Sequence, residues 1–370
     1  MILSGIKEKL DKFTSNFSWE IGVDLGSSNT MIYLKDKGVI VDEPTMITRQ
    51  KRKKWTGLSA PRTKKSGSIA FGFKAKEMLN REPKQIEVVS PIKNGVISDF
   101  EALESLISYY LKLVYEIPSK YPKIFKPRVI VGVPSFINQV QKRAVKSIFL
   151  NSGAKEVILL EEVVLAAVGI GLPVDNCSGL LIVDVGGGKT EVSVVSMGGV
   201  VVGRGIKTAG DDLDNSIINY IRMKYGILIG QNSAERIKME IGNFSRSDDD
   251  KKTALVGGRD LETGLPKTVK VTELEIKEAI TMELTKIVKL VSTVLGETPP
   301  ELMENILKRG IVLVGNGGKI KGLAKMIEDE TKIFTKILDE PGMMVIKGCG
   351  ELIQNRDLLR QVKLVSGLKE

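Results

Sequence analysis

The chain contains no histidine. Catalytic triads built on an imidazole and HExxH zinc sites are therefore excluded. Only two cysteines are present, Cys177 and Cys349. They cannot form a disulfide framework, so a reducing compartment is expected. No uncharged apolar run approaches the roughly 20 residues that a membrane span needs. No basic start followed by an apolar core and a small-residue cleavage site is seen, so no secretory leader is expected. What is present is ordinary: 42% hydrophobic and 27% charged residues, which rules out a disordered chain and a fibrous repeat. A chain of 370 residues can build two domains with separate cores.

Positive charge is concentrated. The net charge is +10, yet nine basic residues and no acidic one lie between Pro44 and Ala75. They are Arg49, Lys51, Arg52, Lys53, Lys54, Arg62, Lys64, Lys65 and Lys74, and the rest of the chain nets about +1 (10 − 9). The charge is a local device. A protein that coats nucleic acid would spread it, so nucleic acid is not an expected partner.

Two stretches share one grammar. IGVDLGSSNTMIYL runs from Ile21 to Leu34, and LIVDVGGGKTEVSVVS from Leu181 to Ser196. Each is an apolar β-branched run, then Asp, an apolar residue, Gly, small or polar residues, Thr and a second β run. The aspartates, Asp24 and Asp184, are 160 residues apart. Alternating apolar runs around a Gly-rich turn predict a β-hairpin. A second unit also recurs. RVIVGVPSFINQVQKRAVKSIFLNSGAKEVILLEE and RGIVLVGNGGKIKGLAKMIEDETKIFTKIL both read strand, Gly turn, helix, strand. An internal duplication of a mixed α/β unit accounts for both repeats. It predicts two similar domains facing each other across a cleft, each offering a turn whose amides can bind an anion. Two carboxylates beside a polyphosphate usually act through Mg2+ and its waters.

Two rival phosphate motifs fail on spacing. A P-loop needs four residues between its two glycines, which puts Val183 where the first Gly should be, and the chain continues as a strand rather than a helix. GNGGKIKG at 315–322 has the wrong spacing for a dinucleotide fingerprint.

Ten stretches then carry a resemblance: DLGSSNT, GVISDF, KPRVIVGVPS, ILLEEVVLAAVGIGLPV, VDVGGGKTEVSVVS, AGDDLD, AERIKMEIG, TGLPKTVKV, TPPEL and RGIVLVGNGG. Their order and spacing from about Trp19 to Gly350 resemble a bacterial actin of the MreB type, within the actin, sugar kinase and heat-shock ATPase superfamily. The resemblance implies an α/β fold of duplicated, ribonuclease-H-like domains around a central nucleotide cleft, with four subdomains. The expected layout is an amphipathic helix over 1–19 and a first domain over 20–155, completed by about 333–370, with a small insert at 45–87. A second domain over 156–332 carries an insert at 205–262.

The resemblance also implies cofactors, ATP and Mg2+, and roles for residues. Gly26, Ser27, Ser28 and Asn29 would hold phosphates from the first domain, and Gly186, Gly187, Gly188 and Lys189 from the second. Asp24 and Asp184 would orient hydrated Mg2+. Glu162 falls where the family activates water, with Lys189 and Thr190 as the other catalytic positions. Gly210 and Asp211 belong to the nucleotide site. Glu235, Arg236, Ile237 and Lys238 match the adenosine-contacting helix, and Gly315, Asn316, Gly317 and Gly318 the adenine turn. The lesser alternative is a solvated charge at a strand end for Glu162, and a surface pair one turn apart for Glu235 and Lys238. Phosphoryl transfer to water needs an oriented nucleophile and neutralised oxygens rather than a covalent intermediate, which suits this set.

Three positions depart from the pattern. Lys189 replaces a Thr that helps to place the attacking water, which predicts nucleotide binding with slowed hydrolysis. Val163 replaces a Pro, and Asn316 a Gly.

Membrane contact is also expected. Ile2, Leu3, Ile6, Leu10, Phe13 and Phe17 fall on a helical stripe about 100° wide. Lys7 and Lys9 border it, placed to reach anionic head groups. Packing on the chain's own body is the alternative. Ile124 and Phe125, flanked by Lys123 and Lys126, match a family insertion loop, or else open a buried strand. Weak anchors add up when many subunits share a filament. The basic stretch 49–65 is either a solvated loop or insert, or a contact for lipid, a neighbouring filament or nucleic acid. The expected function is an ATP-dependent filament at the cytoplasmic face of the cell membrane, acting with itself and with cell-shape or wall-synthesis membrane proteins. A chaperone-type ATPase or small-molecule kinase of the same superfamily is the alternative.

Overall fold

The computed structural model describes residues 19–51, 68–118, 122, 125–172, 179–242 and 252–366. The chain divides into two compact units. One runs to Gly169 and takes in Val345–Gln361; the other runs from Ile170 to Met344 and takes in the chain from Val362.

The first unit is built on a five-stranded sheet. An antiparallel meander comes first: β1 (Glu20–Leu25), β2 (Asn29–Leu34) and β3 (Gly38–Pro44). A small three-stranded sheet follows, made of β4 (Ile47–Gln50), β5 (Ser68–Phe71) and β6 (Ile86–Val89), with helix α1 (Gly72–Met78). A two-stranded ribbon, β7 (Ile92–Lys93) and β8 (Val96–Ile97), leads into α2 (Phe100–Glu116). Asp99 caps that helix by accepting the Ala102 N–H at 3.0 Å. Then come β9 (Arg128–Val133), α3 (Gln139–Asn151), β10 (Glu156–Glu161) and α4 (Glu162–Gly169). β9 runs parallel to β1 and β10 parallel to β9, which gives the order β10-β9-β1-β2-β3.

The second unit repeats this plan. β11 (Leu180–Val185), β12 (Thr190–Ser196) and β13 (Gly199–Ile206) form the meander. α5 (Gly210–Tyr225), β14 (Ile227–Leu228), α6 (Gln231–Ile241), β15 (Thr253–Asp260) and β16 (Pro266–Thr272) follow, the three strands forming their own sheet. The long α7 (Glu273–Glu297) begins in a capping box: Thr272 and Glu275 satisfy each other's backbone N–H groups. After α8 (Pro300–Arg309), β17 (Ile311–Val314), α9 (Leu323–Thr331) and β18 (Thr335–Ile337) complete the order β13-β12-β11-β17-β18. Two helices close the described chain, α10 (Met344–Gln354) and α11 (Arg356–Val365).

Both sheets thus have three antiparallel strands extended by two parallel ones, reached in the same sequence order. The duplication expected from the paired motifs is present in the topology. β11 and β12 are buried along their whole length, as strands with both faces covered must be; β11 reads as a near-continuous apolar run, while β12 mixes valines with Thr190, Glu191, Ser193 and Ser196. Ile276, Ile280, Leu284, Ile287, Val291 and Val294 recur on one face of α7 and pack into the second core. Each such side chain is worth about 1.5–3 kcal/mol on burial.

Three expected boundaries are corrected. Residues 156–161 are expected in the second domain, but Glu156–Glu161 hydrogen-bonds to β9 along its length, so β10 and the helix after it belong to the first unit. The return to the first unit is expected near 333, but Thr335–Ile337 pairs with β17; the return begins at Val345. The insert of the second unit is expected to end at 262, yet its last strand reaches Thr272, because Pro266–Thr272 completes a hairpin with β15.

Candidate functional site

Asp24 and Asp184 occupy the same place in their units, one residue before the end of the first strand. The turns that follow close alike. The Gly26 N–H donates to the Asn29 carbonyl at 3.0 Å, and the Gly186 N–H to the Lys189 carbonyl at 2.9 Å. The numbering offset is 160 in both, so the equivalence read from the sequence is also one of hydrogen bonding.

The carbonyls of both turns are held by fixed donors. In the first, Thr45 supplies two: its hydroxyl donates to Gly26 O at 2.8 Å and its N–H to Ser28 O at 2.8 Å. In the second, the first amides of α5 do this work. Gly210 N–H donates to Gly186 O at 3.2 Å and Asp211 N–H to Gly187 O at 2.8 Å. A trans peptide plane points its N–H opposite to its C=O. The N–H groups of Ser27, Asn29, Gly187 and Gly188 are therefore aimed away from these anchors, as an anion-binding nest requires.

Side chains of the first turn have internal work. Ser27 Oγ accepts the Gly95 N–H at 2.9 Å, tying the turn to the ribbon that carries GVISDF. Asn29 Nδ2 donates to Asp42 Oδ1 at 2.9 Å. Ser28 is exposed. Glu162 is buried at the start of α4. Gly132 in β9 makes room for it, since a Cβ there would stand 3.2 Å from Glu162 Cγ. Asp24 and Glu162 both act on the buried Cys349 thiol: burial pushes its pKa up, and the two carboxylates push it further. The first unit thus brings its metal-orienting and water-activating candidates to one side of β1 and β9.

The second turn is more highly charged. Asp184 lies directly across the β11–β12 ladder from Glu191. Lys189, only 8% exposed, places its ammonium 3.9 Å from Asp184 Oδ2 and 3.3 Å from Glu191 Oε2. Burial raises the pKa of Asp184, opposed by the Lys189 charge and helped by Glu191. Gly315 closes in from β17 with φ +75°, and a Cβ there would meet Asp184 Oδ1 at 2.5 Å and the Val185 carbonyl at 2.3 Å. Asn316 opens a short 3-10 turn with Gly317 and Gly318, so the positive φ falls on Gly315.

Two expected site residues have partners within the fold. The Thr190 hydroxyl, fully buried, donates to the Thr208 carbonyl at 2.7 Å. In the first unit the Thr30 hydroxyl bonds the Thr45 hydroxyl at 2.9 Å. Thr190 thus ties the start of β12 to the segment before α5. Ile237 is buried in the second core, where its side chain packs the helix. Arg236 is held on the surface by Glu240 and the Leu255 carbonyl. Lys238 donates to Gly210 O at 3.0 Å and lies 2.9 Å from Asp214 Oδ1, while Glu235, half-exposed on the same helix, adds negative charge near Asp214.

Asp214, Glu191 and Thr45 are not among the residues expected from the sequence. Glu191 carried a signal, the one charge inside a buried strand, which burial permits only with a partner. Asp214 closes AGDDLD one helical turn after Gly210, on the α5 face that meets α6. Ile2, Leu3, Ile6, Leu10, Phe13, Phe17 and Ile124, and most of the basic stretch, lie outside the described residues; Phe125 is half-buried. No described helix is long and apolar enough to cross a membrane.

Two sheets of this topology, each led by an Asp and a closed Gly turn, define the actin-like class. The chain matches the MreB/Mbl protein family over residues 18–361 and belongs to it. It is 39% identical over 350 residues to the cell shape-determining protein MreB of Escherichia coli K12, covering 94% of this chain and 97% of that one. MreB5 of Spiroplasma citri superposes with TM-score 0.83 bound to ADP and 0.82 bound to AMPPNP, at 31% and 32% identity, over 94% of this chain and 98% of that one. A MamK double helical filament shares the fold with TM-score 0.73 at 20% identity, over 91% of this chain and 99% of that one.

Proposed function

We propose that this chain binds an adenine nucleotide through its two Asp-led turns, hydrolyses ATP slowly, and polymerises into filaments on the cytoplasmic face of an anionic membrane. The observation that carries the reading is the shared hydrogen-bond closure of the two turns, 160 residues apart, with their N–H groups turned outward. Such turns suit phosphate oxygens. The ADP- and AMPPNP-bound MreB5 structures and the cell shape-determining relatives support nucleotide use and a cytoskeletal role. Cell-shape or wall-synthesis membrane proteins are the proposed partners.

In this reading Glu162 orients a water, Gly187 and Gly188 offer amides to phosphate oxygens, and Lys238 and Glu235 line the nucleoside side. Mg2+, when bound, would neutralise charge on the phosphates. Among the described residues no three acidic, His or Cys side chains gather into a metal cage. Its ligands would be phosphate and water, with Asp24 as an outer carboxylate. Half-buried Asp24 fits that role. Asp184 fits it poorly, because Lys189 already lies against its carboxylate.

Ultracentrifugation of the purified chain with ATP and anionic liposomes tests the proposal. Nucleotide-dependent pelleting above a critical concentration, with filaments on the liposomes by electron microscopy, is expected. Monomer at every concentration and nucleotide condition would sink it.

A further inference from the structure

The two turns serve as each other's reference, and they differ in one respect. In the first hairpin Asp24 faces Met31 across the strands, and the side chain at the turn's last position, Asn29, bonds Asp42. In the second, Asp184 faces another carboxylate, Glu191, which is 1% exposed. Two buried carboxylates side by side repel and lose hydration, so one must take a proton or a cation must join them. Lys189, the counterpart of Asn29, supplies that cation from within the chain, 3.3 Å from Glu191 and 3.9 Å from Asp184. The cluster of two carboxylates and one ammonium carries a net charge of −1.

A water-mediated Mg2+ contact to a carboxylate spans about 4 Å, from about 2.1 Å metal to water and about 2.7 Å water to oxygen along a bent path. The Lys189 ammonium already stands at that distance from Asp184 Oδ2. A divalent ion brought to the same carboxylate would meet a fixed positive charge. The strand ladder fixes Asp184 and Glu191, and the Gly186–Lys189 hydrogen bond fixes the backbone from which the lysine projects, so the ammonium is preorganised.

We infer that Lys189 is a resident cation of the second turn that takes over part of the charge neutralisation otherwise supplied by Mg2+, so that this chain binds nucleotide with little dependence on the metal. The inference rests on the reading of the two turns as a nucleotide site. It concerns how that site balances charge and separates it from a site that needs the metal to bind at all.

Titration of a fluorescent ATP analogue into the purified full chain, with millimolar Mg2+ or with EDTA, tests this. The wild-type dissociation constant should change by no more than about threefold on metal removal. Mg2+ and nucleotide in a coupled site affect each other by about 5- to 150-fold. Lys189→Thr should restore that coupling, weakening binding about tenfold or more in EDTA. Because Lys189→Thr leaves Glu191 buried without its ammonium, the pair Lys189→Thr with Glu191→Gln is measured alongside it, and circular dichroism confirms folding of both. A wild-type chain that loses tenfold or more in EDTA overturns the inference, as does a folded variant that stays insensitive to the metal. A wild-type chain that binds no nucleotide in either buffer overturns the nucleotide reading itself, an outcome distinct from metal-dependent binding.

Discussion

The Lys238 ammonium lies 2.9 Å from Asp214 Oδ1 and donates to Gly210 O at 3.0 Å, so one side chain of α6 is pinned to two points on α5. Those points lie beside the amides that hold the second turn, through Gly210 N–H to Gly186 O and Asp211 N–H to Gly187 O. Helix α6 and the second turn thereby share one support, the start of α5. Asp214 is 3% exposed, and burial pushes its pKa up to about 6 despite the lysine, with Glu235 and Asp211 adding repulsion.

A pH dependence of stability follows. An acid whose folded pKa lies above its unfolded value adds stability that is complete below the unfolded pKa and is lost as pH rises through the folded one. For Asp214 the window runs from the ordinary value of 3.8 to about 6, and the loss across it is on the order of 3 kcal/mol. Asp214→Asn should flatten the wild-type decline between about pH 4 and 6, read by denaturant melts at each pH. Parallel curves for wild type and variant would remove Asp214 as the titrating group.

Lys189→Thr should raise steady-state phosphate release. The substitution removes the ammonium that lies against Asp184 and Glu191 and gives the turn a hydroxyl that can hold a water. A gain of about tenfold, roughly 1.4 kcal/mol of barrier, is expected. A rate equal to or below that of the natural protein would contradict a braking role for the lysine.

Gly348 tests how the C-terminal return is seated. A Cβ there would stand 1.9 Å from the Leu165 carbonyl, so α10 can approach α4 only without a side chain at this point. Gly348→Ala should cost about 1–3 kcal/mol, seen as a melting temperature lower by several degrees. Gly296 in α7 serves as the contrast, because a Cβ there would meet nothing within 4 Å. Gly296→Ala should be neutral or stabilising by up to about 1 kcal/mol. Equal melting temperatures for the two variants would refute the packing account.

Deletion of residues 2–17 should abolish co-sedimentation with anionic liposomes at low protein concentration, and deletion of 51–65 should weaken it if the basic stretch meets lipid. Both effects should shrink as salt rises, because the lysines and arginines act within a Debye length of the surface. Full retention by both deletions would place membrane contact elsewhere.

Much of this was legible in the residues. The Asp-led runs predict two hairpins, and β1–β2 and β11–β12 are those hairpins. The paired strand–helix–strand stretches are β9-α3-β10 and β17-α9-β18. What stayed hidden depended on pairing across space. Nothing local shows that Glu156–Glu161 pairs with Arg128–Val133, so the expected domain boundary falls too early. Thr190 is expected among the catalytic positions by resemblance; its bond to the Thr208 carbonyl, 18 residues on, shows in no local pattern. Ile237 is grouped with AERIK by its position in the motif, whereas helical periodicity turns it to the core beside Ala234 and Ile241.

Equilibrium binding of ATP to the wild-type chain and to variants of each turn, Gly26→Val in one and Gly187→Val in the other, tests the central claim most directly. One nucleotide per chain, weakened about tenfold or more by either change while the fold is retained, is the predicted result. Unaltered affinity in either folded variant would show that the two turns do not share one nucleotide, and would contradict the account.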